Sequence, residues 1–356
     1  MGRDDNIANM TTDMIHWTLA QKVGQTLFIS FDGTVMTPAL KSIISELHIG
    51  GIVLFERNVE SPTQLRQLTD DLQAVAQAGG LPPLFIGIDQ EGGRVTRLRA
   101  AKGFTEFPSA QAVAATGDVQ TAIRNATIQA AELKAAGINI NFAPDLDVNN
   151  NPANPVIGAR SYSDNPAIVS KFGLAYGLAL QQAGIMAVGK HFPGHGDTHT
   201  DSHFALPRIT HDRARLDAIE LAPFRAAIAA GISGIMSAHI LFDAIDPTRP
   251  ATLSRRVLHD LLRGELGFTG LIFTDSIEMN ALSVAGFPPS VAAAEAIAAG
   301  ADAVLSNTSF EVACAMHDEM LRRAEAGSLP IQRLNDAVAH VLQMKAHYLG
   351  FKPLGA

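Results

Sequence analysis

IMAVGKHFPGHGDTHTDSH, residues 185–203, starts apolar and turns polar at Lys190 and His191. Its first part, IMAVGKHF, is short and apolar on both sides, the pattern of a parallel strand covered by helices on its outer face. The same form recurs along the chain. LFIGID (84–89) ends at Asp89, residues 138–148 run into Asp145 and Asp147, GISGIMSAHI (231–240) leads to His239, and GLIFTD (270–275) ends at Asp275. QTLFISF (25–31), GGIVLF (50–55) and ADAVLS (301–306) complete eight strand candidates. Helical stretches separate them. Examples are Pro62–Ala78, NPAIVSKFGLAYGLALQQAG with Pro166 near its start and Gly184 at its end, SRRVLHDLLRGELG, and a tail through LNDAVAHVLQMKAHYLG. Eight strand–helix units predict an α/β fold, a single (β/α)8 TIM barrel, with room for slightly irregular first units. An open doubly wound sheet is the rival. The barrel is favoured because it brings every polar strand end to one mouth, whereas an open sheet gathers only those at its switch point. No linker of distinct composition divides residues 1–356, so one catalytic domain is expected, with an N-terminal extension and C-terminal helices.

Composition narrows the function. Hydrophobic residues make up 47% of the 356 residues, enough for a large core, and the formal net charge of -8 argues against nucleic acid as the main partner. A single cysteine, Cys314, excludes an intramolecular disulfide and reads as a small core residue of a helix. The first residues carry no apolar signal-type region, and no uninterrupted apolar run reaches ~18 residues. The expectation is a soluble cytoplasmic protein without membrane insertion or a required protein partner. No nucleotide-binding glycine motif stands in the needed strand–helix context, and no cofactor is expected.

KHFPGHGDTHTDSH (190–203) holds four of the twelve histidines, each four residues from the next. That spacing suits one helical face, but Pro193, Gly194 and Gly196 break any helix. Three readings remain open on the residues alone. His and Asp are ligands for zinc or iron, although no HExxH is present. The loop also reads as a purely structural polar segment. In the third reading, Asp201 holds one imidazole nitrogen of His203 and makes the other an acid–base group. Such a group needs a partner. Asp275, at the end of an apolar strand, reads either as the N-cap of the next helix or as a carboxylate nucleophile. Asp89, Arg97, Arg160, Lys190 and His191 join it as residues around the same mouth.

These motifs together resemble the glycoside hydrolases of family 3, in their β-N-acetylglucosaminidase (β-hexosaminidase) branch. KHFPGHG followed by DT and DSH is that branch's signature. IDQEGGRVTRL (88–98) resembles its sugar-binding loop, NPVIGARSY (154–162) supplies its arginine, and FTDSIEM (273–279) its nucleophile segment. The resemblance covers nearly the whole chain. It implies a compact barrel with Asp275 as nucleophile, His203 as acid–base and Asp201 as its partner. Asp89, Arg97, Arg160, Lys190 and His191 are then sugar contacts, and no metal is needed. The segment reads TDSIEM where many compact Gram-negative members are closer to SDDLSM, a departure that keeps Asp275 and bears on the aglycone.

The implied activity is retaining exo-hydrolysis of terminal β-linked GlcNAc, by a covalent intermediate. The implied substrates are GlcNAc–anhydro-muramyl peptides from peptidoglycan recycling. A neutral histidine base does not repel anions, so phosphorolysis is an alternative, as is a β-glucosidase of the same fold. A metal-dependent hydrolase and a noncatalytic sugar-binding barrel are the readings from other classes.

Overall fold

The computed structural model describes residues 16–201, 206–307 and 309–352. Eight parallel strands close into a barrel in the order β1-β10-β9-β7-β5-β4-β3-β2. They are β1 (Leu27–Ile29), β2 (Gly51–Leu54), β3 (Phe85–Ile88), β4 (Ile140–Asn141), β5 (Met186–Phe192), β7 (Gly234–Ser237), β9 (Leu271–Ser276) and β10 (Ala303–Ser306). The two remaining strands, β6 (Arg208–Ile209) and β8 (Leu241–Phe242), pair with each other outside it. The eight strand candidates of the sequence all form barrel strands. A barrel, and not an open sheet, follows because β1 pairs with both β2 and β10.

Alternation along the strands explains how this barrel fills itself and how it builds a mouth. Side chains two apart share a face. Phe28, Phe85, Ile140, Phe142, Met186, Val188, Leu271 and Phe273 form one buried cluster, packed by Val341 of the last helix. Phe273 meets the edges of Phe28 and Phe142 at centroid distances of 5.4 and 5.6 Å. Rings of this size fit because Gly51 and Gly87 lack a Cβ. A methyl group at either would lie 2.5 Å from the Phe28 ring or 2.7 Å from the Phe142 ring. Truncating Phe142 or Phe273 to Ala is expected to cost roughly 3–5 kcal/mol. The same inward parity, carried two residues past the aromatic layer, reaches Asp89 after Phe85 and Gly87, Lys190 after Met186 and Val188, and Asp275 after Leu271 and Phe273. The other strand face packs under the helices in a second, larger cluster.

Helices start where the sequence supplies caps. Ser61 accepts a hydrogen bond from the Gln64 amide before Pro62, and Asn165 from the Ala167 amide before Pro166. One stretch departs from expectation. Residues Arg256–Glu265 wind as a π-helix, not as an ordinary α-helical turn. Its wider turn, with i→i+5 bonding, still buries Val257, Leu258, Leu261 and Leu262. Cys314 is half-buried on helix Phe310–Glu325, and burial pushes its thiol up, away from the reactive thiolate. Among the described residues, no helix is long and apolar enough to cross a membrane.

Candidate active site

Four strand ends and the loops after them assemble the mouth. Lys190 is its hub. Its Nζ lies 2.7 Å from Asp89 Oδ1 and 2.7 Å from Glu91 Oε1, although the side chain is only 2% exposed. Burial pushes the Lys190 ammonium down, but the charges of Asp89 and Glu91 more than reverse this and hold it above its usual value. Glu91 also takes both arms of Arg160, at 2.9 Å to Nε and 2.8 Å to the second nitrogen. Burial alone would raise the Glu91 carboxyl; Arg160 and Lys190 bring it far below the carboxylate range. Arg97 completes the ring, 3.6 Å from Asp89.

Behind this ring stands a second layer. His191 Nδ1 faces Asp147 Oδ2 at 2.7 Å, and His191 Nε2 faces Arg160 at 3.3 Å. Asp147 also accepts the backbone N–H of His195 at 2.6 Å. Burial, aided by Arg160, drops His191 to about 4, so the ring is neutral at pH 7. Its Nδ1 is then the nitrogen that donates to Asp147. Burial, with the neighbouring Asp147 charge, lifts Asp145 to about 8. Burial raises Asp147 too, but three N–H donors oppose it there. Asp145 accepts one, from the Asp147 amide at 2.9 Å, and its Oδ2 is buried with no hydrogen-bond partner. Asp145 is therefore the member of the pair with fewer donors to hold its charge.

Asp275 ends the last inward column of β9. Burial would raise its carboxyl, yet His191, His239, the Ser276 amide and Lys190 together lower it, so it is ionised at neutral pH. The Ser276 N–H donates to Asp275 Oδ1 at 2.7 Å. The turn beyond is braced by His239, whose Nε2 donates to the Ser276 carbonyl at 2.8 Å. Glu278 takes the Ser276 hydroxyl at 3.0 Å and the Asn307 amide at 3.1 Å. Asp275 therefore caps no helix: helix Asn280–Val284 begins five residues later.

The structure thus brings together Asp89, Arg97, Arg160, Lys190, His191 and Asp275. Asp201 lies on the loop after β5, half-buried. His203, and with it the Asp201–His203 pairing, lies outside the described residues. Both Lys190 and His191 take part in the mouth although they are adjacent, because the β5–β7 register shifts between Lys190 and Phe192. The peptides Lys190–His191 and Phe192–Pro193 are cis.

Sequence reasoning passed over the residues that hold these groups. Glu91 stands inside IDQEGGRVTRL, where nothing local in the sequence marks it. Gln90 accepts the amides of Arg97 and Leu98 at 2.9 and 3.0 Å and so fixes the Arg97 segment. Asn154 accepts the amides of Val156 and Ile157 and donates to the carbonyls of His195 and Gly196, at 2.8 and 2.9 Å. It ties the Arg160 loop to the histidine-rich loop. As for a metal, Asp145, Asp147 and His191 place one ligand atom each within 4.8 Å of one another. Arg160, locked on Glu91 and 3.7 Å from Asp145, is already the cation of that cluster.

A family model described as the glycosyl hydrolase family 3 N terminal domain matches residues 18–344. Beta-hexosaminidase A of Pseudoalteromonas piscicida is 41% identical over 331 residues, 84% of this chain and 55% of that protein. The beta-hexosaminidase of Alkalilimnicola ehrlichii is 40% identical over 285 residues, 78% of this chain and 79% of its own length. Among solved structures, a glycoside hydrolase family 3 beta-N-acetylglucosaminidase from a Paenibacillus species superposes with a TM-score of 0.91 at 45% identity, covering 95% of this chain and 64% of that one. The chain therefore spans only part of two of these relatives, 55% and 64% of their lengths.

Proposed function

The chain belongs to glycosyl hydrolase family 3, and from that membership we propose that it is a retaining exo-β-N-acetylglucosaminidase whose site is built on the one barrel domain described above. The observation that carries the reading is Asp275: an ionised carboxylate at the barrel mouth, facing Lys190 and neutral His191. Its neighbours suit a sugar. Asp89 accepts from two hydroxyls, and Arg97, Arg160 and Lys190 donate to hydroxyl oxygens, with His191 beside them. The relatives named beta-hexosaminidase and beta-N-acetylglucosaminidase support GlcNAc as that sugar.

In the first step Asp275 Oδ attacks the anomeric carbon. The bond to the aglycone oxygen breaks with its electron pair, and protonated His203 supplies the proton that oxygen takes up. In the second step neutral His203 removes a proton from water, the water oxygen attacks the anomeric carbon, and Asp275 leaves as carboxylate. Asp201 orients His203. Positive charge develops at the anomeric carbon in both steps, and the Asp275 carboxylate stabilises it. Two inversions return the β-anomer. The natural substrate we propose is a muropeptide fragment bearing terminal β-GlcNAc, met in the cytoplasm.

The test is hydrolysis of an aryl β-N-acetylglucosaminide followed by proton NMR of the first sugar released. The expected product is β-GlcNAc, with Asp275→Ala lowering kcat by at least ~10³-fold. First-formed α-anomer would overturn the covalent mechanism. Turnover only of the matching β-glucoside would overturn the sugar assignment, and GlcNAc 1-phosphate formed in phosphate buffer would make the enzyme a phosphorylase.

A further inference from the structure

β6, outside the barrel, follows the segment after β5, and a second charged cluster stands at the two ends of that segment. Asp197 stands near the start of the loop and His211 just past its end. Glu220 sits at the joint between helices Arg213–Ala218 and Ala222–Ala229. His211 Nε2 and Asp197 Oδ2 are 2.5 Å apart, and the ligand atoms of all three residues fall within 4.8 Å of one another. Glu220 is 2% exposed. The start of the loop rests on it: a Cβ on Gly194 would lie 2.9 Å from Glu220 Cβ. Glu220 Oε1 accepts from Asn150 at 3.2 Å and from Arg215 at 3.3 Å, while Oε2 is buried with no hydrogen-bond partner. A buried carboxylate oxygen left in that state is costly unless a cation meets it.

We propose that Asp197, His211 and Glu220 form a zinc site that clasps the two ends of segment 198–210. One imidazole nitrogen and two carboxylate oxygens are a zinc-type donor set, with a fourth position for water. The clasped segment contains Asp201 and His203, so bound zinc restrains the part of the chain that carries them. That consequence rests on the hydrolase reading; the binding does not. Arg215 is the competitor. Its guanidinium lies 3.8 Å from Asp197 as well as 3.3 Å from Glu220. Unlike Arg160 at the mouth, whose side chain is 11% exposed, Arg215 is 37% exposed and can swing into solvent.

The experiment titrates the chelator-treated full chain with zinc chloride against a chromogenic zinc indicator, without substrate. The expected result is one zinc per chain. Affinity should fall by roughly tenfold or more in His211→Ala and in Glu220→Gln, and rise severalfold in Arg215→Met, which removes the competing cation. Circular-dichroism melts check that each variant folds; if Glu220→Gln does not, His211→Ala, at a half-exposed ring, decides alone. No stoichiometric binding overturns the proposal. So does binding of equal strength in the ligand variants, which places the metal elsewhere. A chain that takes up zinc but cleaves no β-GlcNAc substrate refutes only the hydrolase reading, and one that cleaves without zinc uptake refutes only the clasp.

Discussion

Two lysines are sealed inside this barrel, one at each end. Lys190, at the mouth, touches two carboxylates at 2.7 Å each. Lys345, at the opposite end, is fully buried with Nζ 2.9 Å from the amide oxygen of Gln25 and 5.9 Å from the Phe85 ring centre. Desolvation acts on both. At the mouth the carboxylates reverse it and the ammonium is held above its usual value; at the base none of the described residues does, and burial brings Lys345 down to about 7. Burial therefore does not determine the charge of a lysine here; the partner does. The mouth keeps fixed charges in place for a ligand, while the base tolerates a lysine that gives up its proton.

The strongest way to break the comparison is to remove the mouth cation. Lys190→Met keeps the volume but leaves Asp89 and Glu91 facing each other's charge. Breaking such a buried pair is expected to cost roughly 3–5 kcal/mol of stability. Lost positioning of Asp89 should lower kcat/KM on an aryl β-N-acetylglucosaminide by about 10²-fold or more. Urea unfolding and initial rates measure both; wild-type values in the two assays would show that the carboxylates do not depend on this lysine.

Glu91→Gln is the milder version. The amide keeps the shape but not the charge, so Lys190 and Arg160 lose a shared partner. Asp89 still holds Lys190, and Asp145 still lies 3.7 Å from Arg160. The expected loss is about tenfold in kcat/KM, carried mainly by KM because both cations are proposed sugar contacts. A loss confined to kcat would place Glu91 closer to the chemistry than to binding.

The mouth was far more legible in the sequence than the base. Asp89, Lys190 and Asp275 end apolar runs, and strand alternation alone carries them to the inner face. Glu91 was harder: its meaning depends on Arg160, 69 residues away, which no local pattern links to it. Asn154 is the same case, since its partners lie on another loop. Lys345 was invisible. In LNDAVAHVLQMKAHYLG a lysine on an amphipathic helix reads as a solvent-facing residue, and only the closure of the last helix against Gln25 and Phe85 buries it. The π-helix at Arg256–Glu265 was hidden for a similar reason, because its residues have ordinary helical preferences and the backbone register is set by what packs around it.

The subtlest test of the comparison is Lys345→Met, which should leave catalysis unchanged and alter the pH dependence of stability. Above the unfolded lysine's usual value of 10.5 neither state carries the proton, and burial costs nothing. As pH falls from there to about 7, the unfolded chain binds a proton that the folded chain refuses, so wild type loses stability. Below that point both states are protonated and the full penalty remains. The methionine variant has no such loss. It should be the more stable protein at pH 6.5, by on the order of 2 kcal/mol once the orphaned Gln25 oxygen is discounted. Near pH 10 the order should reverse, because the neutral amine donates to Gln25 and a thioether cannot. Urea midpoints of the two proteins across this range decide the matter: curves that run parallel would mean that the folded chain keeps Lys345 charged, and that the base of the barrel supplies a partner for it after all.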